Sequence, residues 1–164
     1  MQKYSIRKAT PDDTFEIWSA HVKSIREICS QFYSPAQIEK WSGFSFKHEH
    51  WIHEMLNNCV YVIEIEKKVE GFGHLIFSTM GKSLTAEIAG LYFSPKAKGR
   101  GAGKELMEIL EREAQVKEIN KIVLCSTKNA KGFYEKMGFE AKSAEKFIQI
   151  RGINLETYPM EKYL

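Results

Sequence analysis

Hydrophobic residues recur every three or four positions in the first third of the chain, as is typical of amphipathic helices. After a short alternating strand at Lys3–Lys8, the sequence T-P-D-D at residues 10–13 indicates a helix start, since Thr caps a helix and Pro fits its first turn. The apolar stripe that follows consists of Phe15, Trp18, Val22, Ile25 and Cys29. The sequence S-P-A-Q at residues 34–37 predicts a second helix through a capping box, and a third helical stretch covers about residues 46–57.

From residue 59 onward the pattern changes to strands. Cys59–Glu66 and Val69–Thr79 predict a hairpin with a tight connection at residues 67–68, and a turn at Met80–Ser83 leads into a long strand, Leu84–Phe93. The remaining elements are a helix after the glycines at 99, 101 and 103, a strand at Lys121–Ser126, a helix from its cap Asn129 to Met137, and two closing strands, Phe139–Ile150 and Leu155–Leu164. This order predicts an α/β fold, a mixed and mostly antiparallel sheet flanked by helices.

Composition and charge are those of an ordinary globular protein. The 164 residues are 43% hydrophobic, carry a net charge of +3, and include three cysteines without a C-x-x-C spacing, which is typical of reduced thiols. No apolar stretch approaches the roughly 18 residues of a membrane span, and the first ten residues lack the apolar segment of a secretory signal. We therefore expect residues 1–164 to form a single domain of a soluble, cytoplasmic protein that binds neither membranes nor nucleic acids.

The most informative segment is a glycine-rich turn between a strand and a helix, residues 91–104. Such a turn presents backbone N–H groups and the positive end of a helix to an anion. Cationic side chains surround it, namely Lys96, Lys98, Arg100 and Lys104. A P-loop and a dinucleotide fingerprint are both excluded, because the spacing puts Lys or Leu where each motif needs Gly. A flexible surface loop with solvated lysines is the alternative interpretation of this segment.

Two motifs in this order resemble the GNAT superfamily of acyl-CoA-dependent N-acetyltransferases. The first is the spacing [Q/R]-x-x-G-x-[G/A] at residues 98–103, here with Lys98 in place of the usual Gln or Arg. Lysine keeps the charge but loses the planar donor fork of Arg. The second is N-A-x-x-F-Y-E-K-x-G-F at residues 129–139, and the resemblance extends over nearly the whole chain.

The resemblance implies a GNAT fold and the transfer of an acetyl group from acetyl-CoA to a primary amine of a small molecule or peptide by direct attack. It implies that the strand ending at Phe93 separates from the strand at Ile122–Cys125, and that the pantetheine arm of acetyl-CoA lies in the gap. The residues expected to bind acetyl-CoA are Leu91, Tyr92, Phe93, Lys98, Gly99, Arg100, Gly101, Ala102, Gly103, Lys104, Asn129 and Phe133. A non-catalytic acyl-CoA-binding module is the alternative function, and the sequence leaves open whether the protein forms a homodimer.

Two residues are candidates for catalysis. Glu87 matches a glutamate that accepts a proton from the amine in many members, and strand alternation predicts that it shares a face with Ala89, Leu91 and Phe93. Tyr134 is placed to donate a proton or a hydrogen bond to the departing thiolate. A solvated acid at a strand end and a packed aromatic residue are the respective alternatives.

The remaining chemistry-bearing residues suggest no further reaction. His48 and His53 are five residues apart and point in different directions on a helix, so we expect no metal site. His74 and Cys125 are expected to pack in the interior. The acceptor pocket is predicted from the aromatic residues Phe32, Tyr33, Trp41 and Phe44 and from the hairpin at residues 77–84.

Overall fold

The computed structural model describes residues 4–80 and 83–164. The helices of this part are α1 (Thr14–Glu27), α2 (Pro35–Ser42), α3 (His48–Asn57), α4 (Ala102–Val116) and α5 (Lys131–Lys136), with 3-10 turns at Pro11–Asp13 and Cys29–Gln31. The strands are β1 (Tyr4–Lys8), β2 (Cys59–Ile65), β3 (Lys68–Met80), β4 (Ser83–Phe93), β5 (Lys121–Thr127), β6 (Glu140–Ala141), β7 (Lys146–Ile150) and β8 (Ile153–Tyr163). None of the helices in the described ranges combines the length and the apolar character that crossing a membrane requires.

The strands form one sheet in the order β1-β2-β3-β4-β5-β8-β6, with β7 paired to β8. All pairs are antiparallel except β4 and β5, which are parallel. One core contains Leu106, Met107 and Leu110 of α4 together with strand residues such as Leu75 and Ile122. Separate clusters contain residues of α1, α2 and α3. The predicted mixed, mostly antiparallel sheet flanked by helices is confirmed.

Local sequence signals explain where the helices begin. The backbone N–H of Thr10 donates to Asp13 Oδ2 at 2.7 Å, which fixes the turn that precedes α1. Ser34 and Gln37 form the predicted capping box, with the Ser34 N–H 2.9 Å from Gln37 Oε1 and the Gln37 N–H 3.3 Å from Ser34 Oγ. The tight connection after β2 has Glu66 and Lys67 in the left-handed region, at φ of 51° and 61°.

The buried face of α1 differs from the predicted stripe. Phe15 is 56% exposed and packs against the rings of Trp18 and Phe46 at 5.4 Å each. The buried residues of this helix are instead Thr14, Ile17, Ala20, Ser24 and Ile25. Hydropathy alone did not identify this face, because it includes small and polar residues that the hydrophobic pattern passes over.

Three other expectations need correction or fall outside the described residues. The predicted strand at residues 139–150 is two short strands, β6 and β7, which both pair with β8. Asn129 does not cap α5, because the helix begins at Lys131 and Ala130 occupies the capping position. The turn predicted at Met80–Ser83 has its two central residues outside the described ranges.

Candidate active site

The parallel strands β4 and β5 pair over a short distance and then separate. Their ladder runs from Ala86 opposite Ile122 to Ile88 opposite Leu124. Beyond this point β4 continues along β3, while β5 continues along β8. A gap therefore opens between the two strands, as the resemblance implied.

Tyr33 stabilises the end of β5 at this gap. Its hydroxyl donates to the Glu156 carbonyl oxygen at 2.7 Å and accepts from the Lys128 N–H at 3.0 Å. Burial raises the pKa of Tyr33 to about 12, so its phenol stays protonated and remains a donor at neutral pH. The first N–H after β5 is thus bonded to a side chain rather than to β4.

A bulge in β4 changes which residues share a face. The β3–β4 register shifts between His74 opposite Gly90 and Leu75 opposite Ile88, which leaves Ala89 as the extra residue. Ile88 on one side of the bulge, and Leu91 and Phe93 on the other, all contact the core around α4.

The expected common face of Glu87, Ala89, Leu91 and Phe93 is therefore wrong. Simple alternation does not continue through a bulge, and Glu87 lies on the face opposite Leu91 and Phe93. Glu87 is half-buried, between Ile76 of β3 and Val123 of β5.

The glycine loop adopts backbone conformations that favour glycine. Gly99 and Gly101 have φ of 78° and 84°, and Gly101 occupies the N-cap of α4. The N–H groups of Ala102 and Gly103 lie in the first turn of α4, and such N–H groups have no carbonyl partner within their own helix. At Gly103 a Cβ would lie 3.2 Å from Phe93 Cζ and 3.4 Å from Phe133 Cε2. The loop thus offers backbone donors where a side chain would crowd the aromatic rings.

Polar contacts with β3 anchor the start of this loop. The Ser94 hydroxyl donates to the buried carboxylate of Glu70, and the Ser94 N–H donates to the Glu70 carbonyl oxygen at 2.7 Å. Lys96 Nζ lies 3.8 Å from Glu70 Oε1, and the carbonyl oxygen of Lys96 accepts from Arg100 Nε. Lys96 and Arg100 therefore help to hold the loop itself.

A cavity of about 330 Å³, here called the loop cavity, lies between the glycine loop, the end of β4 and α5. Eleven of the residues singled out from the sequence line it, namely Leu91, Tyr92, Phe93, Lys98, Gly99, Gly101, Gly103, Lys104, Asn129, Phe133 and Tyr134. Arg100, Ala102 and Glu87 are not among its lining residues. Sequence reasoning missed Ser24, Ile28 and Cys29, which close the cavity from the end of α1. Cys29 was predicted on the apolar stripe of α1, but only the tertiary structure brings it beside the loop.

Asn129 and Tyr134 give the loop cavity its polar character away from the glycines. Asn129 Oδ1 is buried and has no hydrogen-bond partner among the described residues. Tyr134 is buried, with its ring 5.3 Å from that of Phe133 and 5.7 Å from that of Phe139. Burial raises the pKa of Tyr134, so its hydroxyl keeps its proton at neutral pH.

A second cavity, of about 750 Å³, is here called the aromatic cavity. Its lining comprises Trp18, His21, Trp41, Gly43, Phe44, Ser45, Lys47, His50, Trp51, Phe72, His74, Ala89, Gly90, Tyr92, Ile150 and Arg151. Tyr92 lines both cavities. Of the predicted acceptor pocket, Trp41 and Phe44 line the aromatic cavity, whereas Phe32, Tyr33 and residues 77–84 are absent from the described lining. Phe32 is exposed and Tyr33 is committed to its backbone hydrogen bonds.

His21 is the most distinctive residue that sequence reasoning missed. Both of its ring nitrogens are buried without a hydrogen-bond partner in the described part of the chain. The ring lies 4.0 Å from that of Tyr92 and 4.9 Å from that of Phe44. Burial lowers the pKa of His21 to about 3, and the nearby charge of Arg151 acts in the same direction. The only sequence signal was its position four residues after Ile17, on the inward side of α1.

The other residues considered for chemistry have ordinary partners. His74 is buried, as expected, and its Nε2 lies 2.8 Å from Glu54 Oε2, while His48 Nδ1 lies 2.9 Å from Thr14 Oγ1. No group of three or more potential metal ligands occurs within residues 4–80 and 83–164.

Cys125 is exposed, so its expected place in the interior is wrong. The neighbouring Leu124 points into the core around α4, and alternation along β5 turns Cys125 to the other face of the sheet. Partial burial nevertheless raises the pKa of its thiol.

Comparison with known proteins agrees with this architecture. Residues 29–164 match the family described as an acetyltransferase (GNAT) domain. The chain is 27% identical over 152 residues to an N-acetyltransferase of Methanocaldococcus jannaschii, in an alignment that covers 89% of this chain and 65% of that protein. The chain thus spans slightly less than two thirds of the length of that relative.

Solved structures share the fold over nearly the whole chain. A GCN5-related N-acetyltransferase from Rhodopseudomonas palustris has a TM-score of 0.84 at 24% identity, with 100% of this chain and 98% of that chain covered. The PaiA N-acetyltransferase from Thermoplasma acidophilum, solved in complex with coenzyme A, has a TM-score of 0.79 at 22% identity, with 99% of both chains covered. The opened strand pair beside a glycine loop thus belongs to a fold that these acetyltransferases share. Since the family match covers most of the chain, the protein belongs to the GNAT acetyltransferase family.

Proposed function

We propose that this protein transfers the acetyl group of acetyl-CoA to a primary amine of a small molecule or peptide. The observation that carries the proposal is the meeting of two cavities at Tyr92, one bordered by the glycine loop and the other by aromatic side chains. A thioester in the loop cavity and an amine in the aromatic cavity would face each other across this residue. A related fold binds coenzyme A in the PaiA structure.

The residues of the loop cavity fit acetyl-CoA in two respects. Gly101 and Gly103 line the cavity at the first turn of α4, where the backbone N–H groups and the positive helix end would attract a phosphate. Lys98 and Lys104 line the same cavity and add positive charge. The unpartnered oxygen of Asn129 fits a donor on the amide-containing pantetheine arm. Arg100 and Ala102 support this site through the loop and the helix rather than through its lining.

Direct attack places two tasks on side chains. The amine nitrogen bonds to the thioester carbon, the C–S bond breaks, and the departing thiolate needs a proton or a hydrogen bond. Tyr134 donates that proton or hydrogen bond in our proposal, because it is protonated at neutral pH and lines the loop cavity. Glu87 receives the amine's proton through water, since Glu87 is absent from the described lining of both cavities.

Release of free thiol from acetyl-CoA, measured over a panel of amines, tests the proposal. The panel contains amino acids, polyamines, aminoglycosides and peptides, and product formation is checked by mass spectrometry. Amine-dependent thiol release supports acetyl transfer. Tight binding of acetyl-CoA with no release for any amine would instead support the alternative, a non-catalytic acyl-CoA-binding module, for which the lysine at position 98 is the one departure in the motif.

A further inference from the structure

The charged side chains that line the aromatic cavity in the described ranges are all cationic. Lys47 and Arg151 line it together with three histidines, and no aspartate or glutamate is found among its lining residues in the described ranges. The nearby carboxylate of Glu54 is hydrogen-bonded to His74 and to the Asn58 side chain. An acceptor with a second ammonium group would therefore be repelled by Lys47 and Arg151, because no carboxylate in the described lining offsets their charge.

Arg151 is held at the rim of this cavity by the turn between β7 and β8. The turn consists of Arg151 and Gly152, at φ of 47° and 78°, and is closed by the pair Ile150 and Ile153. This left-handed conformation is uncommon for residues other than glycine. One N–H of the guanidinium donates to the Trp41 carbonyl oxygen at 2.9 Å.

The charge of Arg151 is left without a carboxylate. Its guanidinium carbon lies 4.8 Å from the centre of the Phe44 ring, and no acidic side chain pairs with it in the part of the chain that the structure describes. Four of its five N–H groups thus have no partner among the described residues and are available to a ligand. A planar guanidinium with free donors is well suited to bind a carboxylate or another oxyanion.

The rest of the cavity favours an apolar or aromatic body. Trp18, Trp41, Phe44, Trp51, Phe72 and Tyr92 supply the ring surfaces. His21 adds two buried nitrogens without partners, which a bound polar group would satisfy.

We infer that the acceptor is an aromatic or apolar amine that also carries an anionic group, and that Arg151 binds this group. The inference rests on the proposed acetyl transfer, and it deepens that proposal by naming the acceptor class. The amine lies toward Tyr92, where the two cavities meet, and the anion lies at the Arg151 rim. Aromatic α-amino acids have this chemistry, whereas polyamines and aminoglycosides do not.

Pairs of amines that differ only in the anion provide the test. L-Phenylalanine is compared with 2-phenylethylamine, L-tryptophan with tryptamine, and the phosphonate analogue of phenylalanine distinguishes a carboxylate site from a phosphonate site. A charge-assisted hydrogen bond corresponds to a preference of about 10- to 100-fold in kcat/KM for the anionic member of a pair. Arg151→Gln should reduce this preference to within about threefold of unity, and Arg151→Lys should keep part of it.

The ratio of the two preferences, wild type over variant, cancels the different reactivities of the paired amines. Lys23→Gln, which removes an exposed cation from α1, is the charge-matched control and should leave the preference unchanged. Binding is measured separately by calorimetry with the acetylated pair, N-acetyl-L-phenylalanine and N-acetyl-2-phenylethylamine. Only the first should bind in a way that depends on Arg151.

The outcomes separate this inference from the proposed function. Preferred acetylation of amines without an anionic group, polycationic amines included, overturns the anionic acceptor while acetyl transfer stands. A preference for the anionic member of each pair that survives in Arg151→Gln overturns the role of Arg151 in the same way. Arg151-dependent binding without thiol release from any amine overturns acetyl transfer and keeps the anion site. If neither Arg151-dependent binding nor thiol release is observed, the anionic acceptor and acetyl transfer are both overturned.

Discussion

Ile88 and Leu124 form the last pair of the parallel β4–β5 ladder. The next residue, Ala89, is the extra residue of the bulge, so the two strands separate where the register of β4 also changes. Backbone groups on the facing edges beyond this pair have no strand partner and must be satisfied in another way. On β4 these residues include Leu91, Tyr92 and Phe93, which line the loop cavity. Their N–H and C=O groups could therefore bind the thioester arm that we propose lies there.

Tyr134→Phe tests the proposed proton donor. The substitution removes one oxygen and leaves the ring, so packing against Phe133 and Phe139 and the affinity for acetyl-CoA should hardly change. If the hydroxyl stabilises the departing thiolate, kcat should fall by about 10²-fold or more with little change in KM for acetyl-CoA. Steady-state kinetics of thiol release gives both constants.

An acyl donor with a more acidic thiol should restore much of the activity of Tyr134→Phe, because its leaving group needs less assistance. Tyr158→Phe is the matched control, since Tyr158 lies on β8 and is not found in the described lining of either cavity. An unchanged kcat would make Tyr134 a packing residue. An equal defect with good and poor leaving groups would indicate acceptor positioning instead.

Substitutions at Gly103 test the phosphate site. Gly103→Ala adds a methyl group that needs the Phe93 ring to move by a few tenths of an ångström, so acetyl-CoA binding should weaken moderately. Gly103→Glu adds bulk and a negative charge at the helix N-terminus, and binding measured by calorimetry should be lost. Circular dichroism checks that both variants fold. Unimpaired binding by a folded Gly103→Glu protein would rule out a phosphate at this loop.

Glu87→Gln tests the proposed proton acceptor, which the structure places between Ile76 and Val123 rather than beside Leu91. The variant keeps the shape and loses the base, so kcat/KM should fall by roughly 10²- to 10⁴-fold at neutral pH. Activity should recover in part at high pH, where free amine is abundant. Glu140→Gln, at an exposed position of β6, is the control. A Glu87→Gln profile within a factor of two of wild type at every pH would leave Glu87 without a catalytic role.

The fold was predictable wherever a few neighbouring residues determine the local structure. The capping box of Ser34 and Gln37 and the glycine-rich turn before α4 each depend on a few neighbouring residues, and both were predicted from sequence. The left-handed φ of Gly99 and Gly101 was seen only in the structure. Most residues of the loop cavity were expected from the family resemblance, which two contiguous motifs carry.

The aromatic cavity was harder to predict because its wall comes from segments far apart in sequence. His21 of α1 and Arg151 of the β7–β8 turn meet there, and no local pattern connects them. The bulge at Ala89 has a similar origin, since it depends on the register that β3 imposes on β4. These features decide which face Glu87 occupies and which charges surround the acceptor, so tertiary structure was needed to define the acceptor side of the site.

The buried imidazole of His21 should make stability depend on pH in a specific direction. Burial lowers the pKa of His21 from 6.5 to about 3, and the charges of Arg151 and His74 act in the same direction. Between these two values the unfolded chain binds a proton at His21 and the folded protein does not. The free energy of unfolding should therefore fall as the pH drops below 6.5, by about 1.4 kcal/mol for each pH unit from this group.

His21→Phe keeps a ring beside Tyr92 and removes the titration, so its stability should decline less than that of wild type between pH 7.5 and 5. Urea unfolding at several pH values gives the difference between the two proteins, which should change by about 2 kcal/mol in favour of the variant. Because carboxylates titrate in both proteins, only this difference is diagnostic. His53→Phe, which removes an exposed histidine of α3, controls for the loss of a histidine. Parallel curves for wild type and His21→Phe would mean that His21 takes up its proton as readily in the folded protein as in the unfolded chain. A protonated His21 would then add a positive charge to the aromatic cavity at pH 5, near the proposed anion.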